Sequence, residues 1–308
     1  MMINNKKKVF CRKKILFMGY GNMTQKYLKI LKKILPNATV KFYSSRKIKN
    51  NLYKNIAGVK VFDPNIIFIC SSTYEHFNHL ELVNKLFKNK LILIEKPLFH
   101  QLKKIKLKNK VYVGYNLRYD PIIQYLKKLV KNQKFWSVEV FCNSYMPRWR
   151  KRSYLKTYSA KKKLGGGVLL DLSHELDYLL WFFKKLNIKY VVNNKISDLK
   201  IDTDDNLLIV GKSKNVKQII LHLNYYSKIS ARFINLIGPK INIRADLIKK
   251  ELDIMKNGKQ IFKNWKEKKF TKTFERQIKS FVKNKNILSA SYNEGIKILK
   301  IIEKIKSF

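Results

Sequence analysis

Four short stretches combine residue types that could do chemistry. Gly19-Tyr20-Gly21-Asn22-Met23-Thr24 puts two glycines close together. Gly19 permits a tight turn, and Gly21 lets the backbone approach a pyrophosphate. A helix starting there would offer its free N–H groups to that anion. The stretch reads as a dinucleotide-binding turn, with Gly19, Gly21, Asn22 and Met23 as cofactor contacts. Thr24 stands where close helix–strand packing usually takes Gly or Ala. About 20 residues beyond the glycines, Ser44-Ser45-Arg46 occupies the place of the acid that would hold a ribose 2′-hydroxyl. Small hydroxyls and an arginine suit a 2′-phosphate instead, so the expected cofactor is NADP or NAD. Glu95-Lys96-Pro97 directly follows an apolar run. A charged pair at the carboxyl end of a parallel strand sits in the ligand crevice. The fourth stretch runs from Gly165-Gly166-Gly167 to Asp171, His174, Glu175 and Asp177. Its glycines allow close backbone approach. Asp171, His174 and Asp177 recur at i, i+3 and i+6, near one helix face. Polar groups on an otherwise apolar helix need a partner or a task.

The elements that must position these residues follow from periodicity. Lys14–Met18, Thr39–Tyr43, Ile66–Cys70, Leu91–Ile94 and Val111–Tyr115 are short runs read as strands. Gln25–Leu35 and Glu75–Phe87 carry the helical period between them. Strands alternating with helices predict a parallel sheet covered on both faces over residues 12–118. Residues 119–308 change character. Phe135–Tyr145, Leu207–Lys212, Gln218–Tyr226 and Ile229–Ile237 are longer and partly alternating, which predicts an antiparallel sheet. One helix is expected over Val168–Phe183, and two more, about Phe274–Lys283 and Tyr292–Lys306, close the α/β chain. These last helices are expected to pack back on the first domain.

The chain has 308 residues, enough for two domains at about 150 each. It is 45% hydrophobic, which excludes a disordered protein. No apolar run approaches the ~18 residues of a membrane span, and the basic start lacks a signal-peptide core. Cys11, Cys70 and Cys142 form no metal-ligand spacing, so no metal is expected. Their odd number suits a reducing compartment, and the expected location is cytoplasmic. The net charge of +47 rests on 58 lysines against nine arginines. The lysines are scattered and accompanied by abundant Asn and Ile, as an AT-rich genome would write them. The charge is read as a solvated surface with no specific nucleic-acid partner.

Together the motifs resemble the glucose–fructose oxidoreductase / inositol dehydrogenase / rhizopine catabolism (Gfo/Idh/MocA) family. The residues that carry the likeness are Gly19-x-Gly21, Ser72-Thr73-x-x-His76, Glu95-Lys96-Pro97, Gly114-Tyr115-Asn116-Leu117-Arg118-Tyr119 and the triple glycine followed by His174-Glu-Leu-Asp177. The resemblance implies a Rossmann domain followed by an α/β domain with an open, mainly antiparallel sheet. It implies NAD(P)-dependent redox chemistry on a sugar or polyol, and it is compatible with a homo-oligomer. It places Lys96 beside the nicotinamide and makes His174 the proton acceptor. Cofactor contacts are implied at Gly21, Ser71, Ser72, Thr73, His76 and Glu95. The family's catalytic aspartate stands four residues before the histidine. Here that position is Leu170, and Asp171, three before, is the candidate. A closer likeness is to members associated with bacterial surface-polysaccharide and nonulosonate sugar synthesis. It rests on Tyr145-Met-Pro-Arg-Trp149-Arg150 and Tyr158-Ser159-Ala160-Lys161, with Leu155 where those members usually carry arginine. Asn116, Arg118, Tyr119, Trp149, Arg150, Tyr158 and His174 are the expected substrate residues. The substrate class is a sugar or nucleotide-sugar. A non-catalytic nucleotide-binding or scaffold protein of the same fold is the alternative.

Overall fold

The computed structural model describes residues 13–45, 52–53, 55–151, 153–267, 269 and 271–308. The first half alternates strand and helix: β1 (Lys14–Met18), α1 (Asn22–Ile34), β2 (Thr39–Tyr43), β3 (Leu52–Tyr53), α2 (Ile56–Phe62), β4 (Ile66–Ile69), α3 (His76–Leu86), β5 (Leu91–Ile94) and β6 (Lys110–Val113). Helix α1 forms because Thr24, Tyr27 and Leu31 recur on one buried face. Strands β1, β4 and β5 are almost wholly apolar because the sheet is covered on both sides.

The second half contains α4 (Pro121–Leu129), β7 (Phe135–Tyr145), α5 (Val168–Asp171), α6 (His174–Phe183), β8 (Asn187–Asn194), β9 (Asn206–Ser213), β10 (Val216–Asn224), β11 (Tyr226–Ile237), β12 (Ile241–Asp246), β13 (Glu251–Lys256) and β14 (Lys259–Asn264). It ends with α7 (Thr271–Val282), β15 (Ala290–Ser291) and α8 (Tyr292–Lys306).

The first sheet has the order β15-β6-β5-β4-β1-β2-β3. Its strands are parallel except β15, which runs antiparallel to β6. The chain leaves β1 to one side and returns to the other at β4. The crevice between the carboxyl ends of β1 and β4 is therefore the topological switch point, where such sheets bind ligands. The second sheet has the order β14-β13-β12-β11-β7-β10-β9-β8. It is antiparallel except for the parallel neighbours β7 and β10. An α/β chain with a Rossmann-type parallel sheet and a second, mainly antiparallel sheet matches the expected fold class.

One core joins both sheets. It runs from Leu16, Ile67 and Ile94 through Val138, Val140, Leu176 and Leu221 to Leu299 and Ile302 of α8. A second core covers the other face of the first sheet. There Phe274, Ile278 and Phe281 of α7 meet Phe17, Tyr27 and Phe68.

Two expectations need correction. The helix expected over Val168–Phe183 is broken at Leu172 and Ser173. The Asp171 carbonyl accepts from Lys96 Nζ, and Glu175 N–H turns to Leu172 instead. Asp171 and Asp177 consequently sit on different helices. The second sheet also has more strands than expected, namely β8, β12, β13 and β14. Helix α4 went unread although Asp120 and Pro121 form a standard start, the Asp120 side chain accepting from Ile122 N–H.

Candidate active site

The glycine turn leads from β1 into α1. Gly19 has φ +94°, and an added Cβ would stand 2.7 Å from the Ser71 backbone. Gly21 starts α1 with no side-chain cap and no acid in the first turn. Its N–H groups therefore face the crevice with nothing of their own to hold. Thr24 fits the third position. It is fully buried, and its hydroxyl donates to the Gly19 carbonyl at 2.9 Å, pinning the turn. Asn22 and Met23 form the first helical turn, Asn22 exposed and Met23 half-buried.

Ser44 and Ser45 follow β2 on the neighbouring strand, whose Tyr43 carbonyl accepts from Gly19 N–H at 2.8 Å. Arg46 lies outside the described residues. Ser71, Ser72 and Thr73 follow β4 across the crevice. Ser71 Oγ lies 2.8 Å from His79 Nδ1. His76 is buried, with Nδ1 3.0 Å from the Pro97 carbonyl and Nε2 3.2 Å from the Ser71 carbonyl. Burial lowers its pKa to about 4. As a neutral ring it carries one N–H, which can donate to only one of these two carbonyls, so it sits between two crevice loops and ties down one of them. Glu95 turns inward, where Tyr27 donates to its carboxylate. Burial raises the Glu95 pKa against the pull of Tyr27, Lys96 and Lys26. Both His76 and Glu95 thus shape the crevice from behind.

Lys96 crosses from the first sheet to the second half of the chain, donating to the Asp171 carbonyl. The Asp171 carboxylate accepts from Tyr225 at 2.7 Å. It also lies against Tyr158, whose hydroxyl burial and Asp171 together keep protonated. His174 begins α6. Its ring meets Tyr115 edge-on at 5.6 Å, and its Nδ1 is buried without a hydrogen-bond partner. Burial, then Lys96, then Arg232 push its pKa well below the usual imidazole range. The ring is therefore neutral. Trp149 packs edge-on against Tyr225 at 5.0 Å, and the Arg150 guanidinium stacks on Tyr158 at 5.3 Å. Lys96, Asp171, His174, Trp149, Arg150 and Tyr158 thus form one neighbourhood.

Three expected substrate residues do not join it. Asn116 donates to Thr273 of α7 at 2.6 Å. Arg118 is buried in a fork with Asp177, at 2.7 and 3.0 Å, and also reaches Glu294 at 2.9 Å. The Tyr119 hydroxyl accepts from Leu288 and Ser289 N–H. All three tie the chain after β6 to its C-terminal elements, because burial leaves each polar group needing an internal partner. Tyr27, Tyr225 and Arg232 were missed. Tyr27 and Arg232 sit at ordinary positions in a helix and a strand, Tyr225 at the bend between β10 and β11, and only long-range pairing reveals them. Among the described residues no cluster of three metal-binding side chains occurs, and no helix is long and apolar enough to cross a membrane.

Comparison with known proteins agrees with this geometry. Residues 127–306, more than half of the chain, match the model of the oxidoreductase family C-terminal alpha/beta domain, GFO_IDH_MocA_C. Over 134 residues the chain is 25% identical to the oxidoreductase candidate YteT of Bacillus subtilis (strain 168). That match spans 40% of this chain and 31% of YteT. Among solved structures, a Clostridium difficile dehydrogenase (MviM) is 20% identical, with a TM-score of 0.73 over 96% of this chain and 99% of the other. UDP-N-acetylglucosamine 3-dehydrogenase GnnA from Acidithiobacillus ferrooxidans is 13% identical, with a TM-score of 0.75 over 96% and 97%. Levoglucosan dehydrogenase in complex with NADH is 14% identical, with a TM-score of 0.77 over 96% of each chain. At these identities the structural likeness is one of fold. The family match over the second half, joined to the glycine turn and the crevice of the first sheet, makes this chain a member of the Gfo/Idh/MocA oxidoreductase family.

Proposed function

We propose that the chain is an NAD(P)-dependent dehydrogenase or reductase acting on a hydroxyl or ketone of a sugar or nucleotide-sugar. The observation that carries this reading is the meeting of Lys96 with the segment that holds His174. A crevice lysine reaches the residue three positions before a neutral imidazole whose buried Nδ1 has no hydrogen-bond partner. The residues present fit a dinucleotide. The uncapped start of α1 at Gly21, where an added Cβ would meet only the Cys70 carbonyl at 4.0 Å, suits a pyrophosphate. Gly19, Gly21, Asn22, Met23, Ser71, Ser72 and Thr73 would hold it, with Ser44 and Ser45 at the adenosine ribose and Arg46 assigned there on its sequence alone. When bound, the nicotinamide would accept or return a hydride at the reacting carbon.

The chain's own residues handle the proton. In the oxidative direction His174 takes the hydroxyl proton of the substrate. Lys96 hydrogen-bonds the same oxygen and stabilises its developing negative charge. In reduction both roles reverse, and His174 returns the proton. Asp171 acts on Lys96 through its carbonyl and orders Tyr225 and Tyr158 through its carboxylate. Arg150 on Tyr158 and Trp149 on Tyr225 present a cation and a flat apolar surface beside this dyad, which suits an anionic or nucleotide-linked sugar. The neighbours that act on levoglucosan and on UDP-N-acetylglucosamine have the same fold. We place the protein in bacterial surface-polysaccharide or nonulosonate sugar synthesis, in the cytoplasm, with residues 12–118 and 119–308 as cofactor and substrate domains.

Profiling of sugars and nucleotide-sugars with both cofactors, followed by absorbance of the reduced nicotinamide, tests this reading. Turnover that depends on Lys96 and His174 is expected. Cofactor binding by titration without turnover on any such substrate would favour the non-catalytic alternative.

A further inference from the structure

His174 opens the first turn of α6, and the next residue is an acid. Glu175 is fully buried. A carboxylate removed from water costs several kcal/mol unless a partner answers it. Arg232 of β11 does so. Its Nε donates to Glu175 Oε1 at 2.8 Å, and its Nη2 is ion-paired with the same oxygen at 2.6 Å. Arg232 stands opposite Cys142 of β7, whose thiol lies against Glu175. An ion pair therefore ties two central strands of the second sheet to the turn that carries His174. A buried pair adds little stability over two apolar side chains of similar volume. Stability alone does not explain one placed here. His174 Nδ1, Glu175 Oε2 and the Tyr178 hydroxyl, all buried, lack hydrogen-bond partners in this same cluster.

The geometry points to Arg232 as a positioning residue: by gripping Glu175 it fixes the first turn of α6 and sets where the His174 imidazole stands against Lys96. This rests on the reading of His174 as the proton acceptor. The groups around the imidazole are Lys96 from the loop after β5, Arg232 from β11 and Tyr115 from the loop after β6. Asp171 and Glu175 flank it along the chain, with Cys142 of β7 and Tyr178 of α6 around Glu175. Of these, the cations Lys96 and Arg232 reinforce burial in keeping the ring neutral.

The test follows the His174 ring signals by NMR across pH in the whole protein without substrate, assigned by their loss in His174→Gln. Turnover is measured alongside. The double variant Arg232→Met/Glu175→Gln removes both charges. His174 should then titrate at higher pH than in the parent, and kcat should fall roughly tenfold to a hundredfold with KM little changed. Arg232→Lys keeps the charge and loses the planar fork. It should leave the titration near the parental one and still lower kcat. Should the double variant fail to fold, Arg232→Lys decides alone. Parental ring signals and parental kcat in a folded variant would overturn the assignment. A parent inert on every sugar, with a His174 titration that still responds to Arg232, would sink the redox reading and support the positioning.

Discussion

Arg118 offers a direct contest between sequence and structure. Its motif suggests a substrate contact, whereas its surroundings describe a latch. Its guanidinium forks onto Asp177, reaches Glu294 and stacks on Trp181 at 5.1 Å. Asp177 is fully buried, while Glu294 is partly open to water. Arg118→Met would leave the Asp177 carboxylate uncompensated, which costs about 3–5 kcal/mol. At about 2–4 °C per kcal/mol that lowers the thermal midpoint by roughly 6–20 °C, toward the lower end for a chain of this length. Arg118→Met/Asp177→Leu removes the stranded charge and should recover much of the loss, because Glu294 can be solvated. Calorimetry or circular dichroism on the parent, the single variant and the double variant gives the comparison. In the folded fraction of the single variant, cofactor affinity should stay parental. An unchanged midpoint together with a raised KM for substrate would refute the latch and return Arg118 to the substrate site.

Three further outcomes are expected. His76 stays neutral in the fold down to about pH 4 but protonates near 6.5 when unfolded. Its contribution is whole above pH 6.5 and lost as pH falls, about 3 kcal/mol in all. Urea unfolding of His76→Phe should depend less steeply on pH in that window than unfolding of the parent, and parallel curves would refute the assignment. Lys96→Met and His174→Ala should each lower kcat by about 10²–10⁴-fold. The double variant should be little worse, because both act on one oxygen; fully additive losses would separate their roles. Gly19→Ala forces a Cβ against the Ser71 backbone at a positive φ. Dinucleotide affinity by fluorescence titration should drop at least tenfold, and parental affinity would place the cofactor elsewhere.

The parts of the fold governed by local pattern were legible. Strands β1, β4 and β5 are apolar runs because both of their faces are covered, and the glycine turn follows from its place after β1. Strand β14 was not, since almost all of it is exposed, and β13 alternates only briefly, buried Leu252 and Ile254 alternating with half-buried Glu251 and Asp253. The break before His174 was hidden for another reason. It is set by Lys96, which takes the Asp171 carbonyl from 75 residues away in sequence. The candidate site was legible in the sequence where motif and crevice coincide, at Lys96 and His174. The partners of Asn116, Arg118 and Tyr119 were not, because they lie far along the chain in α6, α7, α8 and the segment before β15. Arg232 gave no signal, because a strand arginine in a lysine-rich chain looks like solvated surface.

The return of the chain to its first sheet bears on how the protein is made. Helix α7 supplies Phe274, Ile278 and Phe281 to one face of that sheet, and β15 covers the free edge of β6. While residues 271–306 are still inside the ribosome, Tyr27 and Phe68 lack that cover and β6 presents an open edge. The first half therefore emerges early but stays incomplete until residues 271–306 arrive. Bare apolar faces and unpaired edges are what nascent chains aggregate through. Translation order thus makes the first half of this protein a natural client for chaperones that shield it until α7 docks.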